Sequence, residues 1–228
     1  MTVLVVTPID QEFEAFTNTL EEFGHSGTSR TLGRLSATEY DDGEIILAQG
    51  GLGKAQFGVQ TQHLIDNMDN ISLVVCAGTC GRLSKDLSVG DVVVGTHTVE
   101  HDFNRGMALI KFPLPTFEGD PALIEALRGI ADRGSLPCNL RFGGIASGDE
   151  GIASEKRISE ISESTGAIVV AWEGAGGARS AQLSGIPFLE IRGISDGAGE
   201  NAFEEFWANI PIAIRSVAAV VREIPALL

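Results

Sequence analysis

Basic residues are scarce in this sequence. The chain of 228 residues contains 16 lysines and arginines against 31 aspartates and glutamates, which gives a formal net charge of −15 at pH 7. Nucleic acids and anionic membranes carry negative phosphates, so both would repel a protein of this charge. The composition therefore argues against nucleic acid and membrane surfaces as partners, whereas a neutral small molecule is not excluded.

Cysteines are also few, and long apolar runs are missing. Cys76, Cys80 and Cys138 cannot all pair within one chain, and none belongs to a C-x-x-C motif. Such cysteine usage is typical of the reducing cytosol. No segment has the length and uninterrupted apolarity of a membrane span, and no basic segment with a cleavage site precedes the first strand. We therefore expect a soluble, cytoplasmic protein.

Motifs of several common enzyme classes are missing as well. His97 and His101 are four residues apart in a predicted strand, where they would not share a face as two helical metal ligands do. Residues 50–54 (GGLGK) are too short for a phosphate-binding loop and lack its Ser or Thr. No G-x-S-x-G turn of a serine hydrolase occurs. We expect neither a metal nor another cofactor.

What the sequence does contain is an alternation of strands and helices. Apolar β-branched runs predict strands, and apolar residues at helical spacing predict helices. The predicted strands include residues 2–7, 72–78, 90–99, 141–147, 167–172 and 187–195, and the predicted helices are residues 10–24, 54–68, 120–134, 154–166, 175–185 and 203–224. This order predicts one three-layer α/β/α domain over residues 1–228, with a central mixed, largely parallel sheet.

Local signals predict where several elements end. Asp10 is a candidate N-cap of the first helix and Gly24 its stop, and Ser154 is a candidate cap of a later helix. The Asp-Gly pair at residues 42–43 predicts a hairpin turn. Residues 78–81 (GTCG) are expected to form a glycine-rich turn at the end of a buried strand.

Polar residues and glycines gather directly after the predicted strands. In open α/β sheets, ligands bind beyond the carboxyl ends of the strands, and the ends of parallel strands share one edge. Residues of this kind are Glu12, Thr79, Cys80, Gly81, Ser147, Gly148, Asp149, Ile152, Glu173, Ser195 and Asp196. Three carboxylates beside hydroxyls and bare backbone predict a polar pocket for a small polyhydroxylated ligand.

Each of these residues also has an ordinary structural explanation. Glu12 and Glu173 lie in the first turns of predicted helices, where a carboxylate favours the helix dipole. Asp196 precedes Gly197, a pair that is typical of turns, and Thr79 between glycines is typical of a tight turn. Their joint placement at the strand ends is what favours a functional site.

The motifs at these strand ends follow the order found in one enzyme family. The chain resembles the 5′-methylthioadenosine/S-adenosylhomocysteine nucleosidases, within the purine nucleoside phosphorylase and uridine phosphorylase superfamily, over nearly its whole length. The segments that carry the resemblance are Glu12, GGLGKAQ, AGTCG, GDVVV, HTVEHDF, SGD, WEG, RGISD and FEEFW. The resemblance implies the fold of that superfamily and hydrolysis of a purine nucleoside with release of adenine.

The resemblance assigns the chemistry to two carboxyl groups. Asp196 is implied as the general acid that protonates the purine at N7, aided by Ser195, because a protonated base is a better leaving group. Glu12 is implied to orient and activate the attacking water, with Arg192 beside it. Asp196 must keep its proton to act, and burial near Glu12 and Glu173 would favour this by raising its pKa.

The resemblance also implies the residues that bind the substrate. Glu173 would accept hydrogen bonds from the ribose hydroxyls and stabilise the positive charge that develops on the sugar. The base, the sugar and the 5′ substituent would contact the backbone of Ile152 together with Gly81, Thr79, Trp172 and Phe203. Phe203 is expected on a closing loop that Gly197 and Gly199 make mobile. No cofactor is implied, and nucleosidases of this type are homodimers.

Three positions depart from the family pattern. Ala171 stands where these nucleosidases usually have a carboxylate, Trp172 where they have a methionine, and Gly151 where an aromatic residue commonly stacks on the base. These changes alter the walls around base and sugar but leave Asp196 and Glu12 in place. The substrate therefore stays open among methylthioadenosine, S-adenosylhomocysteine, 5′-deoxyadenosine and a nucleoside such as futalosine.

Phosphorolysis is the nearest alternative reaction. Superfamily phosphorylases bind phosphate with an arginine at the position of Cys76 and with another in an early loop whose motif this chain lacks. The arginines that could replace them are Arg30, Arg34, Arg82 and Arg105. We expect hydrolysis instead. A nucleoside-binding homologue without activity is disfavoured because Glu12 and Asp196 are both present.

Overall fold

Strands and helices alternate along the chain as predicted. A computed structural model describes residues 1–104 and 112–228, and these contain ten β-strands and six α-helices. The strands are Thr2–Thr7 (β1), Thr28–Leu32 (β2), Leu35–Tyr40 (β3), Ile45–Gln49 (β4), Ile71–Arg82 (β5), Val92–Glu100 (β6), Thr116–Glu118 (β7), Leu140–Ser147 (β8), Ala167–Ala171 (β9) and Phe188–Asp196 (β10). The helices are Asp10–Glu22 (α1), Lys54–Asp66 (α2), Pro121–Asp132 (α3), Glu155–Thr165 (α4), Gly174–Ser184 (α5) and Ala202–Val221 (α6).

The strands form one mixed sheet. Its order is β10-β6-β8-β9-β5-β1-β4-β3-β2, with β7 paired to β6 and a further pairing of β10 with β5. Parallel pairings join β1 to β4 and β5, β5 to β10, and β8 to β6 and β9. Antiparallel pairings add β2, β3 and β7 and join β10 to β6 and β5 to β9. The predicted mixed α/β fold is confirmed.

The central strands are buried on both faces. In β1, Val3 packs in the same cluster as Phe16 of α1, whereas Leu4 points to the opposite face and packs in a cluster with Phe57 of α2. All four side chains are completely buried. Burying one such side chain stabilises the fold by about 1.5–3 kcal/mol. Near-continuous apolar strands therefore recruit helices to both faces of the sheet, which produces the three layers.

The carboxyl ends of three strands meet at Gly81. This residue pairs with Asp196 of β10 on one side and with Val170 of β9 on the other. Residues 78–81 therefore belong to β5, and the prediction that they form a turn is wrong. Two neighbouring strands supply ladder partners there, which local glycine content cannot reveal. The meeting of these ends creates the opening in which the candidate site lies.

Of the five signals for element ends, three are confirmed. The Ser154 hydroxyl accepts a hydrogen bond from the first turn of α4, Gly24 follows α1 with φ +93°, and residues 41–43 make the turn between β3 and β4. Asp10, however, is not an N-cap. The helix already begins at Asp10 and the capping position is Ile9, so the Asp10 carboxylate lies in the first turn beside the helix dipole.

The sequence does not predict β2 and β7. β2 is a mostly exposed, polar strand of five residues, and β7 has only three residues. Neither offers the apolar alternation that marks a strand with a buried face. They form because β3 and β6 would otherwise present unpaired backbone groups at the margin of the sheet.

The small-residue helix α5 packs closely against α2. A Cβ on Gly176 would overlap the carbonyl oxygen of Lys54, and one on Gly58 would lie 3.2 Å from the carbonyl oxygen of Gly176. Ser180 Oγ donates a hydrogen bond to the Gly58 carbonyl oxygen at 2.7 Å. The two backbones therefore touch, which brings the amino end of α2 next to Glu173, the residue that precedes α5.

Gly176→Ala is expected to lower the free energy of unfolding by about 1–3 kcal/mol, because the added methyl group overpacks two helix backbones. Urea denaturation followed by circular dichroism measures this change. Gly129→Ala in α3 is the matched control, since a Cβ there would lie 3.6 Å from the end of the Arg133 side chain. Alanine favours a helix interior, so this control should gain about 0.5–1 kcal/mol. Equal behaviour of the two variants would contradict close α2–α5 packing.

Candidate active site

A cavity of about 480 Å³ opens where the carboxyl ends of β5, β9 and β10 meet. This volume is in the range of small-molecule sites. Nine of the ten residues that the resemblance implies for the site line it: Glu12, Thr79, Gly81, Ile152, Trp172, Glu173, Arg192, Asp196 and Phe203. The tenth, Ser195, is completely buried behind the wall. The structure thus brings together residues that are up to 191 positions apart in the chain, from Glu12 to Phe203.

Asp196 is held in the cavity wall by two hydrogen bonds. Ser195 Oγ lies 2.7 Å from Asp196 Oδ2, and the Ala198 N–H donates to Oδ1 at 2.8 Å. Burial raises the pKa of Asp196 above its ordinary value, against the opposing effect of the Ser195 hydrogen bond. Ser195 Oγ also lies 3.2 Å from the Cys80 carbonyl oxygen. A hydroxyl that donates its single proton to Cys80 can accept one from a neutral Asp196.

Gly81 leaves the space that Asp196 occupies. A Cβ on Gly81 would lie 2.8 Å from Asp196 Oδ1 and 2.9 Å from the Cβ of Ala198. The turn after Asp196 places Ala198 at φ +49°, whereas neither Gly197 nor Gly199 has a positive φ. Ala198 therefore adopts the left-handed backbone of this turn, and the same turn brings its N–H to Asp196.

Glu12 faces the cavity from the first turn of α1. The backbone N–H and the hydroxyl of Thr79 both donate to Glu12 Oε1, each at 2.7 Å. Burial raises the pKa of Glu12, while the Thr79 hydrogen bonds and the charge of Arg192 act in the opposite direction. These two bonds fix the carboxyl group in position at the cavity wall.

Glu173 is the third buried carboxyl group of the cavity. Its Oε1 accepts from the Gly53 N–H at 3.3 Å, at the amino end of α2, and its Oε2 pairs with Arg192 Nη2 at 3.2 Å. Burial raises the pKa of Glu173 to about 7, and Arg192 opposes this rise. Near neutral pH Glu173 is therefore partly protonated. A ligand with hydroxyl donors would favour its carboxylate form.

The stability of the fold should depend on pH through Glu173. The pKa of a freely solvated glutamate is 4.5 and that of Glu173 in the folded chain is about 7, so between these values the folded state keeps a proton that the unfolded state has lost. The contribution of Glu173 to the free energy of unfolding is therefore fully present below pH 4.5 and is lost as the pH rises through 7. Glu173→Gln cannot ionise, and relative to wild type it should gain about 3 kcal/mol of unfolding free energy between pH 4.5 and pH 8.

Urea denaturation at both pH values measures this effect. Glu163→Gln is the matched control, because Glu163 is an exposed residue of α4 and its replacement should leave the pH dependence unchanged. A Glu173→Gln protein whose stability follows pH as the wild type does would show that Glu173 ionises as freely as an exposed residue.

Arg192 lies at the base of the cavity and is 1% exposed. Its guanidinium donates to Glu190 Oε1 at 2.8 Å, to the Thr79 carbonyl oxygen at 3.3 Å, to Cys76 Sγ at 3.1 Å and to Glu173 Oε2 at 3.2 Å. Glu190 was not among the residues predicted for the site. The available signal was its spacing, since residues 190 and 192 of one strand face the same side of the sheet.

Comparison with known proteins decides the family. A profile of the phosphorylase superfamily matches residues 2–225. The 5′-methylthioadenosine/S-adenosylhomocysteine nucleosidase of Staphylococcus epidermidis is 31% identical over 172 residues, which are 72% of this chain and 74% of that protein. The chain belongs to this nucleosidase family of the phosphorylase superfamily. The resemblance inferred from the ordered motifs is thereby confirmed.

Two solved structures share the fold over nearly their whole length. The Neisseria meningitidis nucleosidase of the same name, in complex with methylthio-immucillin-A, is 33% identical with a TM-score of 0.84, and the match covers 98% of this chain and 97% of that one. The futalosine hydrolase of Helicobacter pylori is 26% identical with a TM-score of 0.87, covering 100% of this chain and 98% of that one. The fold therefore accommodates more than one nucleosidase specificity.

The positions that depart from the nucleosidase pattern all lie at the cavity. Gly151, Ala171 and Trp172 line it, and a Cβ on Gly151 would meet nothing within 4 Å. The space where an aromatic side chain is common in the family is therefore open here. Ala171 is buried and apolar, so the cavity has one carboxylate fewer than the family pattern implies.

An aromatic mouth, formed by Phe203, Phe206 and Trp207, lines the outer part of the cavity. The Trp207 ring stacks edge-on against both neighbours, with centroid distances of 6.0 Å to Phe203 and 5.0 Å to Phe206. Phe203 is 74% exposed. It lies in the first turn of α6, which agrees with the helix predicted over residues 203–224 and not with the closing loop that the resemblance implies.

Three of the four arginines considered for phosphate binding, namely Arg30, Arg34 and Arg82, do not line the cavity. Arg30 pairs with Glu39 on the β2–β3 hairpin at 2.5 Å, and Arg82 donates to the Leu87 carbonyl oxygen at 2.7 Å. Arg105 lies outside the described residues. Cys76, at the position of a phosphorylase arginine, is buried and contacts Arg192.

The described residues contain neither a metal cluster nor a membrane-spanning helix. Across residues 1–104 and 112–228, no group of three or more His, Cys, Asp or Glu is arranged to hold a metal ion. In the same part of the chain, no helix is long and apolar enough to cross a membrane.

Proposed function

We propose that this protein hydrolyses the N-glycosidic bond of an adenosine-type nucleoside and releases adenine. The observation that carries the proposal is the placement of Asp196, Glu12 and Glu173 in the wall of one cavity, each buried and each with a raised pKa. Perturbed carboxyl groups in a cleft are typical of acid and base catalysts. A purine nucleoside requires both, since its base needs a proton and its sugar needs a nucleophile.

Asp196 serves as the general acid of the proposed reaction. Cleavage leaves the electron pair of the glycosidic bond on the purine, so a proton delivered to N7 neutralises the leaving group. The raised pKa of Asp196 keeps its carboxyl group protonated to a higher pH than that of an exposed aspartate. Ser195 and the Ala198 N–H fix its orientation and then stabilise the carboxylate that remains.

Glu12 and Glu173 act on the sugar side. Glu12 accepts a proton from a water molecule that attacks the anomeric carbon, while Thr79 holds the carboxylate in place. Glu173 accepts hydrogen bonds from the ribose hydroxyls, and its negative charge stabilises the oxocarbenium character of the ribose in the transition state. In the proposed reaction both groups act as carboxylates, whereas Asp196 acts as an acid.

The lining of the cavity favours water over phosphate as the nucleophile. Arg192 is the only cationic side chain among the described lining residues, and its guanidinium already contacts four protein groups. Glu12 and Glu173 would repel a phosphate dianion that entered beside them. Hydrolysis is therefore favoured over phosphorolysis on electrostatic grounds.

The mouth of the cavity favours an apolar 5′ substituent. Phe203 and Trp207 are exposed there with Leu52, which is 53% exposed, and a thioether or methyl group would remove apolar surface from water. We therefore propose methylthioadenosine or 5′-deoxyadenosine as the substrate. Futalosine is the second candidate, because the open space beside Gly151 and the likeness to a futalosine hydrolase both allow a larger nucleoside.

The test is incubation with methylthioadenosine in phosphate-free buffer and again with added phosphate, with products separated by chromatography. Free adenine and free methylthioribose without phosphate are expected. Release that requires phosphate and yields the sugar 1-phosphate would make the protein a phosphorylase. A parallel panel of S-adenosylhomocysteine, 5′-deoxyadenosine and futalosine ranks substrates by kcat/KM, and a preference for futalosine would replace the proposed substrate.

We further propose that residues 1–228 form a single domain and that the protein is a cytoplasmic homodimer. The free cysteines Cys76, Cys80 and Cys138 support the cytosol as its compartment. Val59 on α2 and Leu183 on α5 are 71% and 79% exposed, which supports a covered face on these paired helices. Sedimentation equilibrium of the wild type and of a Val59→Glu variant tests the dimer.

A further inference from the structure

Glu190 is a buried carboxylate that the proposed reaction does not use. It is completely buried, and it lies two residues before Arg192 on β10, so both side chains face the same side of the sheet. Arg192 Nε donates to Glu190 Oε1 at 2.8 Å, and Thr98 Oγ1 donates to Oε2 at 2.5 Å. A Cβ on Gly174, at the amino end of α5, would overlap the Glu190 carboxyl group.

Glu190 shares one cation with two carboxyl groups of the site. The titratable groups that interact with the Arg192 charge are Glu12 from α1, Cys76 and Cys80 from β5, Glu173 from the start of α5, and Glu190 itself. Within residues 1–104 and 112–228, the ion pairs of Glu173 and Glu190 are those with Arg192. A buried carboxylate is tolerated when it is paired in this way.

Without Glu190, the whole charge of Arg192 would act on Glu12 and Glu173. A carboxylate beside an arginine is a weaker base, so Glu12 would accept a proton from water less readily. The bond to Nε also fixes the plane of the guanidinium. In that plane, Nη1 faces the Thr79 carbonyl oxygen and Nη2 faces Glu173.

We propose that Glu190 is a positioning residue that fixes the plane of the Arg192 guanidinium and offsets its charge, so that Glu12 stays basic and Glu173 stays available to ribose. Glu190 acts through Arg192 and touches neither substrate nor water. This role rests on the proposed nucleosidase function and adds to it a residue that controls the charge balance of the site.

Glu190→Gln tests the proposal because it removes the charge and keeps the shape. The amide oxygen can still accept from Arg192 Nε, and the amide N–H₂ can donate to the Thr98 hydroxyl. We expect kcat for adenine release to fall about tenfold, since Glu12 becomes a weaker base. The acidic inflection of the pH profile of kcat/KM should move about one unit lower, because an uncompensated Arg192 favours ionised Glu173.

Glu100→Gln is the matched control. Glu100 is a buried carboxylate of β6 that pairs with Arg179 and Lys54 and has no bond to Arg192. Its replacement removes a buried charge of the same kind and should leave the acidic inflection in place. Thr98→Val provides a second variant that keeps shape, in case Glu190→Gln does not fold. It frees the Glu190 carboxylate from its hydroxyl partner and should lower kcat in the same direction, by a smaller factor.

A folded Glu190→Gln protein with the kcat and pH profile of the wild type would overturn the proposal, as would equal pH shifts in Glu190→Gln and Glu100→Gln. Failure of the proposed function has a different signature, namely a wild-type protein that releases no adenine. In that case carbon NMR of the Glu173 carboxyl group, assigned with Glu173→Gln, provides the readout without turnover. A Glu173 titration that is unchanged in Glu190→Gln then overturns the role of Glu190 as well.

Discussion

Asp196→Asn is expected to lower kcat for adenine release by about 10²–10⁴-fold, the usual contribution of a positioned general acid. An amide keeps the size of the carboxyl group and can still accept from the Ala198 N–H, but it has no proton to give to N7. Binding of nucleoside should persist, because the walls of the cavity do not change. Steady-state kinetics with methylthioadenosine, together with calorimetric titration of the variant, separates turnover from binding.

The control for Asp196 is Glu200→Gln, which removes a carboxylate from the outer part of the same cavity and should leave kcat within about twofold of the wild-type value, as for a surface change without a catalytic role. Ser195→Ala should be intermediate, since it removes the hydroxyl that holds Asp196 but not the acid. Unchanged turnover in Asp196→Asn would remove Asp196 from the mechanism.

Glu12→Gln is expected to lower kcat by about 10²–10⁴-fold, because an amide cannot accept the proton of the attacking water. The hydroxyl and the N–H of Thr79 can still donate to the amide oxygen, so the side chain should stay in place. Nucleoside binding should change little, which distinguishes this variant from one that disrupts the cavity. Single-turnover measurements of adenine release at saturating enzyme isolate the chemical step.

Glu14→Gln is the matched control for Glu12, because Glu14 is an exposed glutamate of the same helix α1. It should leave kcat unchanged. If Glu12→Gln retained full activity and Asp196→Asn did not, protonation of the base would be sufficient for cleavage, and water would attack without a base. That outcome would remove Glu12 from the proposed mechanism and keep Asp196 in it.

The residues that the sequence predicted for the site lie close together, for a physical reason. β1, β5 and β10 are parallel, so Glu12, Thr79 and Asp196 come together at or near the carboxyl ends of these strands. Glu173 lines the same cavity although it follows β9, which is antiparallel to β5. The ordered motifs then identified the family, which the sequence comparisons confirm.

The features that the sequence did not reveal depend on contacts between distant segments. Glu190 is one carboxylate within an apolar strand, and its role appears once Thr98 and Arg192 are seen on its two oxygens. Likewise, the glycines around Gly81 predict a turn, whereas in the structure Gly81 lies in β5 and pairs with β9 and β10 on either side. Ladder partners and buried ion pairs are set by the tertiary structure, not by local propensity.

By itself, the sequence determined the alternation of strands and helices, the mixed α/β fold, the family and the group of carboxyl residues at the strand ends. These follow from periodicity and from the order of motifs, which are local properties of the chain. Only the tertiary structure decided which carboxyl groups share Arg192, and which of them have their pKa raised by burial. Desolvation and charge act over a few ångströms in space, and residues 12, 173, 190 and 196 become neighbours only when the chain is folded.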